Sequence, residues 1–405
     1  MKQAILTILA RLTNAMKAES RSFHVSFLPI IQSAIEPGSE TQIYLLEDAL
    51  DLWSSIIAQT PSAPEPTPPE LLNLLQYLLP LFTMDNENLR KAIEITEGYL
   101  LLAPSAVLAD NFRPELLRCL SELLGNLKPE ASGTVSHLMM CIIRGADGLA
   151  GEEAIKVLVG DLISTNFLSK VMEGLHGAWQ HHQSHGPSRE LPSRAVDGVV
   201  ETDYFSVLAR IGLASPAVLL EALQSVGGAE LEKTLDWLLE EWFGHIENIG
   251  DPPNKKLMTL VLTRLLETNQ PWMLGRLQSL ITMWTDVLGE LLDGMDDKTA
   301  EYVPPFVNSR LKTQTMNARA NVPSSLYWPD EPNPFAPIEP EAPEDARKRI
   351  LLYSDPVHRF NLVAFVRDHL QGAIQAAGGE ARFQEEWLSR VDKDVLKGFG
   401  DLGIM

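Results

Sequence analysis

Four histidines, His176, His181, His182 and His185, sit close together, and His181 and His185 have the i, i+4 spacing that lets two imidazoles on one helical face share a metal ion. No cysteine lies nearby, the only close carboxylate before Glu190 is Glu173, and the segment runs into Gly186-Pro187, where a helix must end. Imidazoles at a helix C-terminus are favoured by the helix dipole. That explains the cluster without a metal, so none is expected. Gly398-Phe399-Gly400-Asp401-Leu402-Gly403 carries the letters of a dinucleotide-binding loop, but only Ile404 and Met405 follow it. No helix can open there to receive a phosphate, and a frayed tail is the expectation. There is no glycine-lysine phosphate loop, no His-Glu-x-x-His and no Gly-x-Ser-x-Gly. No catalytic residue, no cofactor and no enzymatic activity are expected.

Charge points elsewhere. Taking 100° per residue, Glu232, Asp236, Glu240 and Glu247 share an arc of about 80° on a helix beginning near Ala229. Leu231, Leu235, Leu238, Leu239, Trp242 and Ile246 occupy the adjoining arc. On the helix after Pro271, Leu274, Leu277, Ile281, Trp284, Leu288, Leu291 and Leu292 form the apolar stripe. Asp286, Glu290 and Asp293 lie opposite it within about 60°, and Asp297 is just beyond. Like charges on one helical face repel by a few tenths of a kcal/mol per pair, and no basic residue on the same face offsets this. These acids either form a solvated outer face or, if neighbouring helices merge their stripes, an acidic wall aimed at a basic partner. Trp237 lies far from the apolar arc and is a candidate contact residue, as are Asp330 and Glu331 further on.

The elements that would position these residues are helical almost throughout. Apolar residues recur at three- and four-residue spacing, and alternating runs are scarce. Ser39-Glu40-Thr41-Gln42 and Thr67-Pro68-Pro69-Glu70 read as capping boxes, and Pro68, Pro114, Pro216, Pro252 and Pro271 fall where a first helical residue would. Ala49 to Pro61 lies ungapped over Ala92 to Pro104, matching apolar to apolar at Leu50/Ile93, Leu52/Ile95, Ile56/Tyr99 and Ile57/Leu100, and acid to acid at Asp51/Glu94. The offset is 43 residues, within the window of about 40–47 for two-helix HEAT or armadillo units. Upstream of each copy sits a helix with an internal proline, Pro29 or Pro80, which should kink it. The expected fold is all-α, a HEAT-repeat α-solenoid, a superhelix of antiparallel helix pairs.

Three parts are expected: a repeat array over 1–294, an acidic proline-rich excursion or linker over 295–346, and a C-terminal helical cap over 347–405. The composition bounds the partners. The 405 residues hold 33 basic and 54 acidic side chains, a formal charge of −21. Such a chain repels phosphate, so neither direct nucleic-acid binding nor an anionic membrane surface is expected. No apolar run reaches the roughly 18 residues that span a bilayer. Cys119 and Cys141 sit in apolar stretches and read as buried thiols of a reducing compartment.

Two stretches carry a resemblance: Tyr44-Leu45-Leu46-Glu47-Asp48-Ala49-Leu50-Asp51-Leu52-Trp53 and Asp355-Pro356-Val357-His358-Arg359-Phe360-Asn361-Leu362, with an acidic helical array between them. The chain resembles the C-terminal part of importin-β karyopherins of the importin-eleven type, including their fungal counterparts. The resemblance implies a nuclear transport receptor in cytoplasm and nucleus, at the nuclear pore and envelope. It would carry basic cargo proteins, nuclear or ribosomal, and bind Phe-Gly nucleoporins and Ran-GTP. The main Ran-GTP contacts of that family lie in N-terminal repeats with no counterpart here. The alternative is a generic HEAT-repeat scaffold subunit, which would share every compositional feature and ignore Phe-Gly repeats.

Overall fold

The computed structural model describes residues 2–62, 66–83, 86–124, 129–184, 196–228, 230–293, 295–296, 301–302 and 341–401. The chain divides into two compact units, Met1–Lys170 with Ile338–Leu352, and Val171–Pro337 with Tyr353–Met405. The residues after the proline-rich stretch are divided between the two units.

In the first unit, α1 (Lys2–Met16), α2 (Arg21–Ile35) and α3 (Gln42–Gln59) are followed by two short segments, α4 (Pro69–Asn73) and α5 (Leu78–Leu81). Then come α6 (Asn86–Leu102), α7 (Pro104–Val107), α8 (Arg113–Leu123) and α9 (Pro129–Ser164). Helix α9 breaks at Ala150 and Gly151; Gly151 has φ 59°, a left-handed conformation that glycine adopts without a Cβ penalty. Packing runs α1 on α3, α3 on α6 and α6 on α9. A helix in the middle of such a row is covered on both sides, so its buried face is wide. In α3, Leu45, Leu46, Ala49, Leu50, Leu52, Trp53, Ile56 and Ile57 are all buried.

The 43-residue match falls on α3 and α6, and the two copies touch. Trp53 Nε1 donates to Tyr99 Oη at 2.9 Å, and Tyr99 Oη donates to the Leu71 carbonyl at 2.6 Å. The aligned acids Asp51 and Glu94 share Lys91, at 2.9 and 3.2 Å. Pro29 sits inside α2 as expected, but around Pro80 the chain runs as α4, a 3-10 segment and α5 instead of one kinked helix. Neither expected capping box forms. The Ser39 hydroxyl bonds the Ser33 carbonyl at 2.8 Å, and α4 is preceded by Pro68 with no side-chain cap.

The second unit holds most of α10 (Phe167–Gln183), then α11 (Gly198–Ala214), α12 (Pro216–Gly227), α13 (Leu231–Ile246), α14 (Pro252–Arg264), α15 (Pro271–Leu274) and α16 (Leu277–Asp293). A two-residue antiparallel pairing joins Met295–Asp296 to Glu301–Tyr302. After residue 341 the described helices are α17 (Pro343–Ser354), α18 (Pro356–Arg359), α19 (Leu362–Ala376), α20 (Glu380–Glu386) and α21 (Lys393–Asp401). Pro216, Pro252, Pro271 and Pro356 each open a helix, and Ser215, Asp251 and Asp355 cap three of those starts by accepting backbone N–H bonds.

Helix α14 is packed against α11, α16 and α19, and eight consecutive residues, Lys256 to Thr263, are buried. The conspicuous Asp355–Leu362 stretch is a clamp on this core. The Asp355 carboxylate takes two bonds from Arg210 on α11, at 2.7 and 2.8 Å, and caps α18 through Val357 N at 2.9 Å. Phe360 offers its carbonyl to Lys256 Nζ at 2.7 Å, and Asn361 caps α19 through Ala364 N at 3.0 Å. In the first unit α17 is tied down similarly. Arg347 donates to the Thr60 and Ile57 carbonyls at the C-terminus of α3, at 2.6 and 2.8 Å. Among the described residues, no helix is long and apolar enough to cross a membrane.

Candidate functional site

Helix α13 buries Leu235, Leu238, Leu239, Trp242 and Ile246, and α16 buries Leu277, Ile281, Trp284 and Leu288, so the acids of both are turned away from the core. The two faces meet across one groove of about 710 Å3. Its lining includes Glu240 and Glu247 from α13 and its end, and Asp286 and Glu290 from α16. Phe243, Ile246, Met283 and Val287 supply the apolar part, and Lys255 and Arg276 are the two cations.

The sequence pattern showed no offsetting base, and here the structure corrects it. Lys255 on α14 pairs with Glu290 at 2.7 Å, and Arg276, just before α16, pairs with Asp236. Glu240 accepts from Trp179 Nε1 at 3.1 Å and Gln183 Nε2 at 3.2 Å. These neighbours arrive from other helices, which a single helical wheel does not see. Glu247 and Asp286 have no ion pair among the described residues. Burial, then the Glu247 and Glu290 carboxylates, push Asp286 above the usual carboxylate range, and Lys255 opposes them. Glu290, Asp236 and Glu240 are therefore partnered, while Glu247 and Asp286 have no ion pair among the described residues and only Lys255 partly offsets their mutual repulsion.

Glu232, in the first turn of α13, is exposed and does not line the groove. The side chain of Asp293, and Asp297, Asp330 and Glu331 entirely, lie outside the described residues. Trp237 is half-buried, and its ring lies 4.8 Å from that of His176 and 6.1 Å from that of Trp179 on α10.

The histidines also behave differently from the pattern. It is His182 that meets carboxylates, and these come from distant helices. His182 Nδ1 lies 2.5 Å from Glu241 Oε1 on α13, and one ligand atom each of His182, Glu201 and Glu241 lie within 4.8 Å of one another. Glu201 Oε2 is 3.2 Å from His245 Nδ1, and His245 Nε2 is 2.7 Å from Thr202 Oγ1. Burial and then the adjacent Glu201 carboxylate push Glu241 up to about 7, against the opposing pull of His182. A second group with metal-ligating atoms, Glu97, His137 and Cys141, joins α6 to α9, with His137 Nε2 3.8 Å from Glu97 Oε1 and 3.7 Å from Cys141 Sγ. His185 lies outside the described residues.

Helices stacked in chain order, as α1, α3, α6 and α9 are in the first unit, define a helical-repeat protein of the solenoid class. The chain belongs to the importin-11-like family: the family model for importin-11-like TPR repeats matches residues 3–404. It is 26% identical to mouse Importin-11 over 398 residues, which cover 97% of this chain and 35% of that protein. It is 24% identical to Importin beta-like protein kap113 of Schizosaccharomyces pombe over 400 residues, 98% of this chain and 35% of the relative. The chain thus spans about a third of the length of the curated relatives it matches. Among solved structures it is similar to Lph2, described as a novel bidirectional nuclear transport receptor in S. cerevisiae, with TM-score 0.74 and 18% identity over 100% of this chain and 38% of that one. That likeness supports the importin-type solenoid fold.

Proposed function

We propose that this chain is a cargo-binding part of an importin-type nuclear transport receptor, and that the groove between α13 and α16 receives lysine and arginine side chains of a basic cargo protein. Membership of the importin-11-like family supports the first half. The observation that carries the second is the neighbouring acids Glu247 and Asp286, neither of them in an ion pair among the described residues, in a groove where four carboxylates outnumber two bases. The apolar lining from Phe243, Ile246 and Met283 lets a long aliphatic stem lie along the groove while its charged head reaches the carboxylates. Each exposed pair contributes only about 0.2–1 kcal/mol, so affinity must come from several basic residues acting together.

The receptor reading extends to Phe-Gly nucleoporins, to Ran-GTP through repeats beyond this chain, and to traffic between cytoplasm and nucleus through the pore. A pull-down on Phe-Gly repeat resin separates it from a generic scaffold: selective retention supports a receptor, and no retention supports a scaffold. For the groove, a lysine- and arginine-rich peptide is titrated against the chain and against Glu247→Gln with Asp286→Asn. Binding should weaken several-fold in the variant; equal binding overturns the assignment.

A further inference from the structure

We propose that His182, Glu201 and Glu241 form a zinc site where α10, α11 and α13 meet. Two carboxylates are packed against one another there, Glu201 at 1% exposure and Glu241 at 6%. Adjacent buried carboxylates are costly when both are ionised, unless a cation or proton lies between them. Glu201 adds an independent sign. Its Oε2 is held by His245, but its Oε1, fully buried, has no hydrogen-bond partner. An orphaned buried carboxylate oxygen calls for an explanation, and a bound cation is one.

The donor set selects the ion. One imidazole nitrogen and two carboxylate oxygens suit zinc, which takes histidine nitrogen and carboxylate oxygen at about 2.0–2.2 Å. Calcium and magnesium prefer more oxygen ligands and no imidazole. The ligand atoms, within 4.8 Å of one another, need only small side-chain shifts to close on a tetrahedral ion. The outer shell is already built. His245 holds Glu201 while Thr202 holds the other ring nitrogen of His245, so the ligating carboxylate is itself fixed by hydrogen bonding, as ligating carboxylates around metals usually are. The side chain of His182 is 52% exposed, so the ion has a path in from solvent and a fourth position open to water.

The test uses the full chain with Cys141→Ser throughout, so that the other cluster offers no thiolate. The protein is equilibrated with zinc, freed of excess by gel filtration, and its metal content is measured. About one zinc per chain is expected, with a rise in melting temperature that EDTA reverses. Adding Glu241→Gln should abolish both. Equal zinc content with and without Glu241→Gln, both folded by circular dichroism, overturns the proposal and leaves a proton-sharing carboxyl pair. Should Glu241→Gln fail to fold, His182→Ala decides, since that residue is half exposed. It should weaken zinc binding roughly 10-fold or more, and unchanged affinity overturns the site. Cobalt gives a separate readout, because its visible bands should appear without a thiolate charge-transfer band and disappear in His182→Ala.

Discussion

Replacing Asp355 with asparagine should loosen the C-terminal helices of the second unit. The carboxylate is paired with Arg210 in two parallel bonds of 2.7 and 2.8 Å, and the two side chains are 6% and 13% exposed. Removing one partner of a buried pair leaves the other charge uncompensated, at a cost of about 3–5 kcal/mol. The effect is sharpened by Lys256, fully buried nearby, whose charge Asp355 also helps to stabilise. Asparagine keeps the oxygen that caps α18, so the cap, about 1 kcal/mol, survives and the ion pair is isolated. For a unit of this size, each kcal/mol shifts Tm by about 2–4 °C, so the transition of the second unit should fall by roughly 6–20 °C. Helical circular dichroism on heating reads the shift, and hydrogen exchange over 356–376 should locate it. A variant melting within about 2 °C of the parent, with exchange unchanged there, would mean that Asp355 does not clamp these helices.

Burial pushes Lys256 down from 10.5 to about 7, so between those pH values the unfolded chain holds a proton that the folded chain lacks. Stability should therefore rise with pH from about 7 toward 10, and Tm followed over that range should show this rise in the parent and lose it in Lys256→Met. Arg347→Met removes the donors to the Ile57 and Thr60 carbonyls and should destabilise the first unit by about 2–4 kcal/mol; urea unfolding measures it, and a loss below about 0.5 kcal/mol would refute the role. A Cβ on Gly98 would stand 2.8 Å from Ile57 Cγ2, where α6 lies on α3. Gly98→Ala should cost about 1–3 kcal/mol despite alanine's better helix propensity, and a stabilised variant by the same measurement would contradict that packing.

What could be read from the sequence was whatever repeats along one helix. The 43-residue match worked because α3 and α6 are equivalent helices in one row, so Leu50 and Ile93, or Ile56 and Tyr99, meet the same surroundings. The acidic faces were legible because 100° per residue reports which side of α13 and α16 a carboxylate occupies. What stayed hidden was contact between helices. Nothing near Glu290 signals Lys255, 35 residues earlier, and nothing near Trp237 signals His176 and Trp179. His182 lies 59 residues from Glu241, so the histidine spacing pointed to a partner on its own helix when the carboxylates come from two others. Lys256, amid the most buried run of α14, reads as an ordinary surface lysine until the Asp355–Leu362 stretch is laid over it.

The groove's function is tested most directly by its salt dependence. A basic cargo peptide is titrated by fluorescence anisotropy against the parent and Glu247→Gln with Asp286→Asn, at rising ionic strength. Screening shortens the Debye length from about 10 Å at 0.1 M to about 3 Å at 1 M. Affinity for the parent should fall steeply across that range, and the variant should bind weakly with a flatter dependence. If parent and variant bind alike and neither responds to salt, the acids between α13 and α16 are a solvated surface and the cargo is recognised elsewhere.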